Sequence, residues 1–249
     1  MKETTNQFPS EEVTLPSKGL LYPQDSPLSK GIIEMKYMTA REEDILTNQN
    51  FIENGTVIDK LLKSLIVTSI DYNDLLLGDK NAVLVAARIL GYGKDYTFMF
   101  NGDEKTIDLT EIKDSELDES LIKEGKNEFD FKLPTSKVSI TFKILTHGDE
   151  EAIDREIKGL KRINKNTSAG LSTRMKYVIT SVNGDYDTKT IRNFVDNQLL
   201  ARDSRELRNY IAKIQPNVDL TFEYESKNGD LKKSTIPVGL NFFWPDAEL

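Results

Sequence analysis

Hydrophobic and polar residues alternate along two short segments of the chain, each followed by a run with helical spacing. In the first, apolar side chains occupy every second position at Ile33, Met35 and Tyr37. In the second, the same alternation covers residues 138–144. A two-residue period is typical of a β-strand that buries one face. We therefore predict a short strand in each half of the chain.

Each predicted strand ends at a threonine that is followed three positions later by an acidic residue. Thr39 precedes Glu42, and Thr146 precedes Asp149. This spacing predicts a helix N-terminus at which the threonine and the acid cap backbone amides reciprocally.

A further helix is predicted later in each half. Apolar residues fall on one helical face at 83–90 and again at 207–214, and both segments are followed by glycine or proline. Asp79 and Asp203 lie near the starts of these segments. We expect each carboxylate to cap its own helix.

Asparagine–glycine pairs indicate a β-hairpin near the end of each half. The pair at 101–102 interrupts strand-like residues 97–109, and the pair at 228–229 interrupts residues 221–238. Asn-Gly favours a tight hairpin because both central positions require a positive φ.

The same signals occur in the same order in both halves, which indicates an internal duplication. The spacing from Asp79 to Thr97 equals the spacing from Asp203 to Thr221. We predict an α+β fold of two tandem units, each with short strands, two or more helices and a closing β-hairpin. The predicted division is an N-terminal tail at 1–11, a first unit at 12–113, a linker at 114–126, a second unit at 127–240 and an aromatic C-terminal tail at 241–249.

Composition narrows the range of partners. The 249 residues carry a formal net charge of −8 and include no cysteine. Net acidity disfavours non-specific binding to nucleic acid and to anionic membrane surfaces. The absence of cysteine excludes disulfides and thiolate metal sites. Residues 1–7 are polar and lack the apolar core of a signal peptide. We expect a soluble protein that binds neither nucleic acid nor membranes.

Candidate reactive groups are few, and each has a simpler explanation. The single histidine, His147, lies beside Asp149 and Glu150, but acids at a helix start stabilise the helix dipole. Glycines at 91–93 follow a helix, whereas phosphate-binding loops precede one. The basic segment 157–169 could meet an acidic partner or nucleic acid, although it lacks aromatic residues for base stacking, and a solvated helix end is the simpler interpretation. We predict no catalytic, cofactor-binding or metal-binding residues.

Two segments are not typical of a regular helix or strand. Residues 15–23 are apolar and flanked by prolines, and they either cover their own core or dock on a partner as an extended arm. Residues 242–245 include the single tryptophan. For this tail we favour packing against the chain's own sheet for the phenylalanine pair and an interface for Trp244. The candidate interface residues are Leu15, Pro16, Leu20, Leu21, Tyr22, Pro23, Phe242, Phe243, Trp244 and Pro245.

Short motifs occur in a fixed order along nearly the whole chain. They are LPSKG and YP within 15–23, MTAREEDIL at 38–46, GTVIDKLL at 55–62, GDKNA at 78–82, RILGYG at 88–93 and FFWP at 242–245. This set resembles the T4-type bacteriophage baseplate hub protein family. The resemblance implies a structural component of a contractile tail, without enzymatic activity and without a cofactor.

The resemblance also implies partners and a location. The partners would be other baseplate hub, tail tube or tape-measure proteins, in the virion or in the host cytoplasm during assembly, and a symmetric oligomer within the baseplate is compatible with it. One alternative is a chaperone that shields the hub or tape-measure protein and then leaves the particle. A more distant alternative is an enzyme with an unrecognised site.

Relatives are expected to carry cysteine pairs near the hairpin tips, where this chain has Asn101-Gly102-Asp103 and residues 226–229, so zinc is not expected here.

Overall fold

The computed structural model describes residues 9–165, 170–225 and 229–243. Its strands are β1 (Ser10–Thr14), β2 (Ile32–Lys36), β3 (Asp95–Phe100), β4 (Asp103–Asp108), β5 (Phe129–Lys132), β6 (Ser139–Phe142), β7 (Ile179–Val182), β8 (Thr221–Glu225) and β9 (Leu231–Thr235). Its helices are α1 (Ala40–Leu46), α2 (Gln49–Glu53), α3 (Val57–Leu65), α4 (Leu77–Tyr92), α5 (His147–Ile163), α6 (Gly170–Val178), α7 (Thr188–Asn197) and α8 (Ala201–Ile214). Short 3-10 turns lie at Pro27–Lys30, Tyr72–Asp74, Leu109–Glu111, Glu119–Leu121 and Leu240–Phe242.

The strands form small antiparallel sheets. The described sheets pair β1 with β2, β3 with β4 and β8 with β9, and order the fourth as β5-β6-β7. Helices and small sheets share one molecule, so the predicted α+β class is confirmed.

The first predicted hairpin is confirmed in its details. Phe100 pairs with Asp103 across the two-residue turn, in which Asn101 has a φ of 53° and Gly102 a φ of 92°. Two consecutive positive φ values match the tight turn that Asn-Gly favours. Strands β8 and β9 also pair antiparallel, but residues 226–228 of their connection lie outside the described residues.

Both predicted capping boxes are present. The backbone N–H of Thr39 donates to Glu42 Oε2 at 3.0 Å, and the N–H of Thr146 donates to Asp149 Oδ2 at 3.1 Å. Each acid also accepts from a lysine that ends or directly follows the preceding strand. Lys36 lies 2.8 Å from Glu42, and Lys143 lies 2.7 Å from Asp149.

The prediction that Asp79 and Asp203 cap their own helices is wrong. Helix α4 has Leu76 as its N-cap and α8 has Leu200, so each aspartate is the third residue inside its helix. Both side chains are fully buried. Their carboxylates accept hydrogen bonds from distant segments instead, as described below.

One hydrophobic cluster contains buried residues from both halves of the chain. Leu62 and Phe142, for example, belong to the same core. Backbone hydrogen bonds also join the halves, since the N–H of Leu77 donates to Leu145 O at 3.2 Å and the N–H of His147 donates to Leu75 O at 2.8 Å. The predicted division into units therefore describes segments that pack on each other.

The hairpins β3–β4 and β8–β9 pack together through aromatic rings. The ring centroids of Phe98 and Phe222 are 5.3 Å apart, and those of Phe100 and Tyr224 are 4.8 Å apart, both in edge-to-face geometry. Such pairs stabilise packing beyond the area that they bury.

Candidate functional site

The segment 15–23, a candidate interface in the sequence, runs along the core of the chain itself. Leu15, Pro16, Leu21 and Tyr22 are buried. Leu20 is half-buried and Pro23 is exposed. Of the candidate interface residues in this segment, Leu20 and Pro23 are therefore available to a partner in the isolated chain, and the side chain of Lys18 is exposed beside them.

Asp79 fastens this segment to helix α4. Its Oδ1 accepts from the backbone N–H of Ser17 at 2.9 Å, and its Oδ2 accepts from the hydroxyls of Ser17 at 2.7 Å and Tyr22 at 2.6 Å. The Tyr22 hydroxyl in turn accepts from the N–H of Leu76 at 2.9 Å. Burial raises the pKa of Asp79, although the hydrogen bonds from Tyr22 and Ser17 lower it. Burial and the adjacent carboxylate also raise the pKa of Tyr22.

Asp203 holds the corresponding segment of the second half. Its Oδ1 accepts from the N–H of Thr135 at 2.7 Å and its Oδ2 from the N–H of Ser136 at 2.9 Å. Burial raises the pKa of this carboxyl, but hydrogen bonds from Ser136 and Thr135 outweigh it, so the net pKa lies below the usual value. The two buried aspartates therefore differ in the sign of their pKa shifts.

The first two aromatic residues of the C-terminal tail lie in the core. Phe242 and Phe243 are fully buried, and the ring of Phe242 packs edge-on against Tyr96 with centroids 4.8 Å apart. Trp244 and Pro245 lie outside the described residues.

A polar cluster surrounds His147 at the start of α5. Lys80 Nζ lies 2.6 Å from Asp59 Oδ1 and 3.2 Å from His147 Nδ1. On the other side of the ring, Nε2 lies 3.6 Å from Glu151 Oε1 and 3.9 Å from Asp59 Oδ2. His147 is almost completely buried. Burial lowers the pKa of its imidazole, and Lys80 lowers it further.

Asp59, His147 and Glu151 could supply three metal ligands, since one ligand atom of each lies within 4.8 Å of the others. The contact with Lys80 favours a different state. A lysine ammonium only donates, so Nδ1 must accept and the ring proton resides on Nε2. A protonated Nε2 has no lone pair for a metal. In this geometry the cluster is an ion-pair network, and the prediction of no metal ligands stays a prediction.

An acidic cleft opens beside the same end of α5. It has a volume of about 460 Å³, and Thr146, the N-cap of α5, is part of its lining. Other lining residues include Tyr22, Pro23, Ile70, Asp25, Asp71 and Asp74. Burial and the nearby Asp71 raise the pKa of Asp74. His147 lines neither this cleft nor one of about 410 Å³ above the β5-β6-β7 sheet.

The opposite end of α5 is basic. Four exposed cations, Lys158, Lys161, Arg162 and Lys165, occupy its last two turns and the residues just after it. In the described part of the chain, none of the four has an ion-pair partner. The side chain of Ile163 is 88% exposed among them, and Leu171 at the start of α6 is 47% exposed. We call this surface the basic tip.

The sequence did not reveal the roles of the two buried aspartates or the acidic cleft. A signal for the aspartates was present, because each lies at the same helical position and each half carries a Leu-Pro pair far upstream, at 15–16 and 133–134. The cleft had no such signal, since its acids come from separate segments.

The candidate sites on the described surface are clefts and an exposed helix end. These features are typical of a protein that acts through contacts with other proteins. In the described residues, no helix combines the length and the apolar character needed to cross a membrane. The sequence matches the family "T4 bacteriophage base plate protein" over residues 12–244. The chain belongs to this family, and its role is that of a phage baseplate protein. No curated protein and no solved structure gave a match.

Proposed function

We propose that this protein is a structural component of the hub region of a contractile-tailed phage baseplate and acts by protein–protein contacts, without catalysis. The observation that carries the proposal is the family match over residues 12–244, nearly the whole chain. The partners would be other hub, tail tube or tape-measure proteins.

The shared core supports a role as a rigid part. Buried residues of both halves form one cluster, and Asp79 ties the segment 15–23 to α4 over a sequence distance of 62 residues. A segment held in this way presents its exposed groups in a fixed geometry, which lowers the entropic cost of binding.

The contact residues that we propose are Leu20, Pro23, Trp244 and Pro245. Leu20 and Pro23 reach the surface of the arm, and Trp244 and Pro245 follow directly after a buried phenylalanine pair.

Quantitative mass spectrometry of purified virions tests the proposal. The tail tube protein and a baseplate protein of known copy number serve as internal standards. The virions are banded twice in a density gradient, which removes loosely attached proteins. A structural part should appear at a fixed, small whole-number ratio to the baseplate standard in every preparation. Its loss from virions while it co-purifies with hub intermediates from infected cells would refute the proposal and identify an assembly chaperone.

A further inference from the structure

Helix α5 connects two surfaces of opposite charge. Its N-cap, Thr146, lines the acidic cleft, and its last two turns carry the basic tip. With 17 residues and a rise of 1.5 Å per residue, the helix is about 25 Å long. The two surfaces of one molecule are therefore held too far apart to meet.

The cleft offers uncompensated negative charge over an apolar floor. Asp25, Asp71 and Asp74 are exposed, and no lysine or arginine is among the cleft's described lining residues. Burial raises the pKa of Asp74, and the negative charge of Asp71 raises it further. The apolar lining includes Pro23 and Ile70.

The basic tip has the complementary composition. It carries four exposed cations without ion-pair partners in the described chain, on a protein whose net charge is −8. Ile163, 88% exposed, lies next to Arg162 and two positions before Lys165 in the sequence. An exposed apolar side chain ringed by charge is typical of a contact surface.

We propose that this protein associates with itself head to tail, with the basic tip of one copy seated in the acidic cleft of the next. Charge complementarity between the two surfaces selects a second copy as the occupant. Because the surfaces lie at opposite ends of one helix, each associated pair of copies leaves one cleft and one tip free. Such a contact is heterologous and propagates into a ring or a filament. The inference goes beyond the baseplate role and is tested on the isolated protein.

Compensation of the helix dipole also places acids at a helix start and bases at its end. That effect explains charge alone. It gives no reason for a cleft at one end of α5 or for an almost fully exposed isoleucine at the other, whereas an intermolecular contact requires both.

Two charge-reversal variants provide the test. The cleft variant is Asp25→Lys with Asp74→Lys, and the tip variant is Lys161→Glu with Lys165→Glu. None of these four side chains makes a described hydrogen bond or ion pair within the chain, so both variants should unfold at nearly the wild-type temperature. The matched control for the tip variant is Lys189→Glu with Lys232→Glu, which makes the same change in net charge as the tip variant at exposed lysines elsewhere.

Sedimentation velocity at low ionic strength measures the association. The wild type and the control should sediment above the monomer mass of 28.3 kDa and return towards it at high salt, since screening shortens the Debye length to about 3 Å at 1 M. Each variant alone should be monomeric. An equimolar mixture of the two should form a dimer and nothing larger, because only the intact tip of the cleft variant and the intact cleft of the tip variant remain.

Three results would overturn the proposal. A monomeric wild type at low salt and a protein concentration well above micromolar would show that the tip and the cleft do not join copies of this chain. Association that persists in either variant would show that the copies are joined by other surfaces, or through bound nucleic acid. A mixture that stays monomeric, although both variants are folded and the control associates, would show that the tip does not enter the cleft.

Discussion

Asp79→Asn and Asp203→Asn are the same substitution at the third residue of two helices, yet we expect very different losses of stability. The difference lies in the partners of each carboxylate. Oδ2 of Asp79 accepts only from hydroxyls, those of Ser17 and Tyr22. Both oxygens of Asp203 accept from backbone N–H groups.

A hydroxyl can reverse its role and a backbone N–H cannot. In Asp79→Asn, the amide oxygen can keep the N–H of Ser17 and the amide NH₂ can donate to the two hydroxyl oxygens, so the contacts between heavy atoms can persist with reversed donors. The two hydroxyl protons lose the carboxylate as their acceptor, but a hydroxyl can rotate towards another acceptor, whereas a backbone N–H cannot. The raised pKa of Asp79 shows that its charge is unfavourable in place, which makes a neutral replacement cheaper still. We expect a loss of about 0.5–1.5 kcal/mol in the free energy of unfolding.

In Asp203→Asn, either orientation of the amide points NH₂ at a backbone N–H of Thr135 or Ser136. One partly buried donor loses its acceptor, at up to about 1–3 kcal/mol, and the surviving bond loses its charge assistance. The lowered pKa of Asp203 shows that the ionised form is favoured at this position. We expect a total loss of about 2–4 kcal/mol, a large part of the 5–15 kcal/mol that holds a typical domain folded.

Urea denaturation at pH 7, followed by circular dichroism, measures both losses. The alanine variants at the two positions are the matched controls, because alanine removes every contact at either site and should be costly in both. Equal m-values are required for the comparison. A loss for Asp79→Asn that equals or exceeds the loss for Asp203→Asn would refute the argument from donor reversal.

Two further predictions concern a close contact and a histidine. A Cβ on Gly78 would lie 1.7 Å from the carbonyl oxygen of Pro216, so Gly78→Ala should lower the free energy of unfolding in the urea assay by roughly 3 kcal/mol or more. Gly159 has nothing within 4 Å of the position that a Cβ would occupy, so Gly159→Ala should instead stabilise α5 by about 0.5–1 kcal/mol. Similar effects at both glycines would refute the close contact at Gly78. The pKa of His147 is lowered in the fold, so the unfolded chain takes up a proton first as pH falls through about 6.5. The stability of the wild type relative to His147→Gln should therefore decrease from pH 7.5 to pH 5, and a pH-independent difference would show that the imidazole is not held neutral.

Features that depend on neighbouring residues could be predicted from the sequence. The turn at Asn101 and Gly102 follows from backbone preferences of two adjacent residues. The capping box of Thr146 and Asp149 spans three positions. In both cases the interacting groups are brought together by local geometry, so the order of residues is sufficient to predict the contact.

Features that depend on contacts between distant segments could not be predicted from the sequence. An aspartate near a helix start caps its own helix unless a better partner is packed against it, and for Asp79 that partner lies 62 residues away. The segment 15–23 is apolar enough for either a core or an interface, and only its packing reveals that Leu21 and Tyr22 are buried. The acidic cleft combines side chains near 25, 71 and 146, which no periodicity connects.

The strand pairs that precede these aspartates support the proposed duplication. Val13 pairs with Ile33 in the first half, and Phe131 pairs with Ile140 in the second. These are the positions that correspond when the Leu-Pro pairs and the capping threonines of the two halves are aligned. The sheet register is therefore the same in both halves, although the residues that fill it have changed.

Equivalent registers and equivalent buried aspartates are hard to explain by convergence, because neither follows from the other. A strand register is set by the pattern of buried side chains, whereas the aspartate contacts join a helix to the segment that follows the first strand. A duplicated ancestor accounts for both at once. The halves differ where they touch, as at Gly78, whose counterpart is Arg202 and whose missing side chain admits Pro216. A close contact between the halves thus involves a position at which the two halves differ, and superposition of residues 12–113 on 127–240 is the direct test of the duplication.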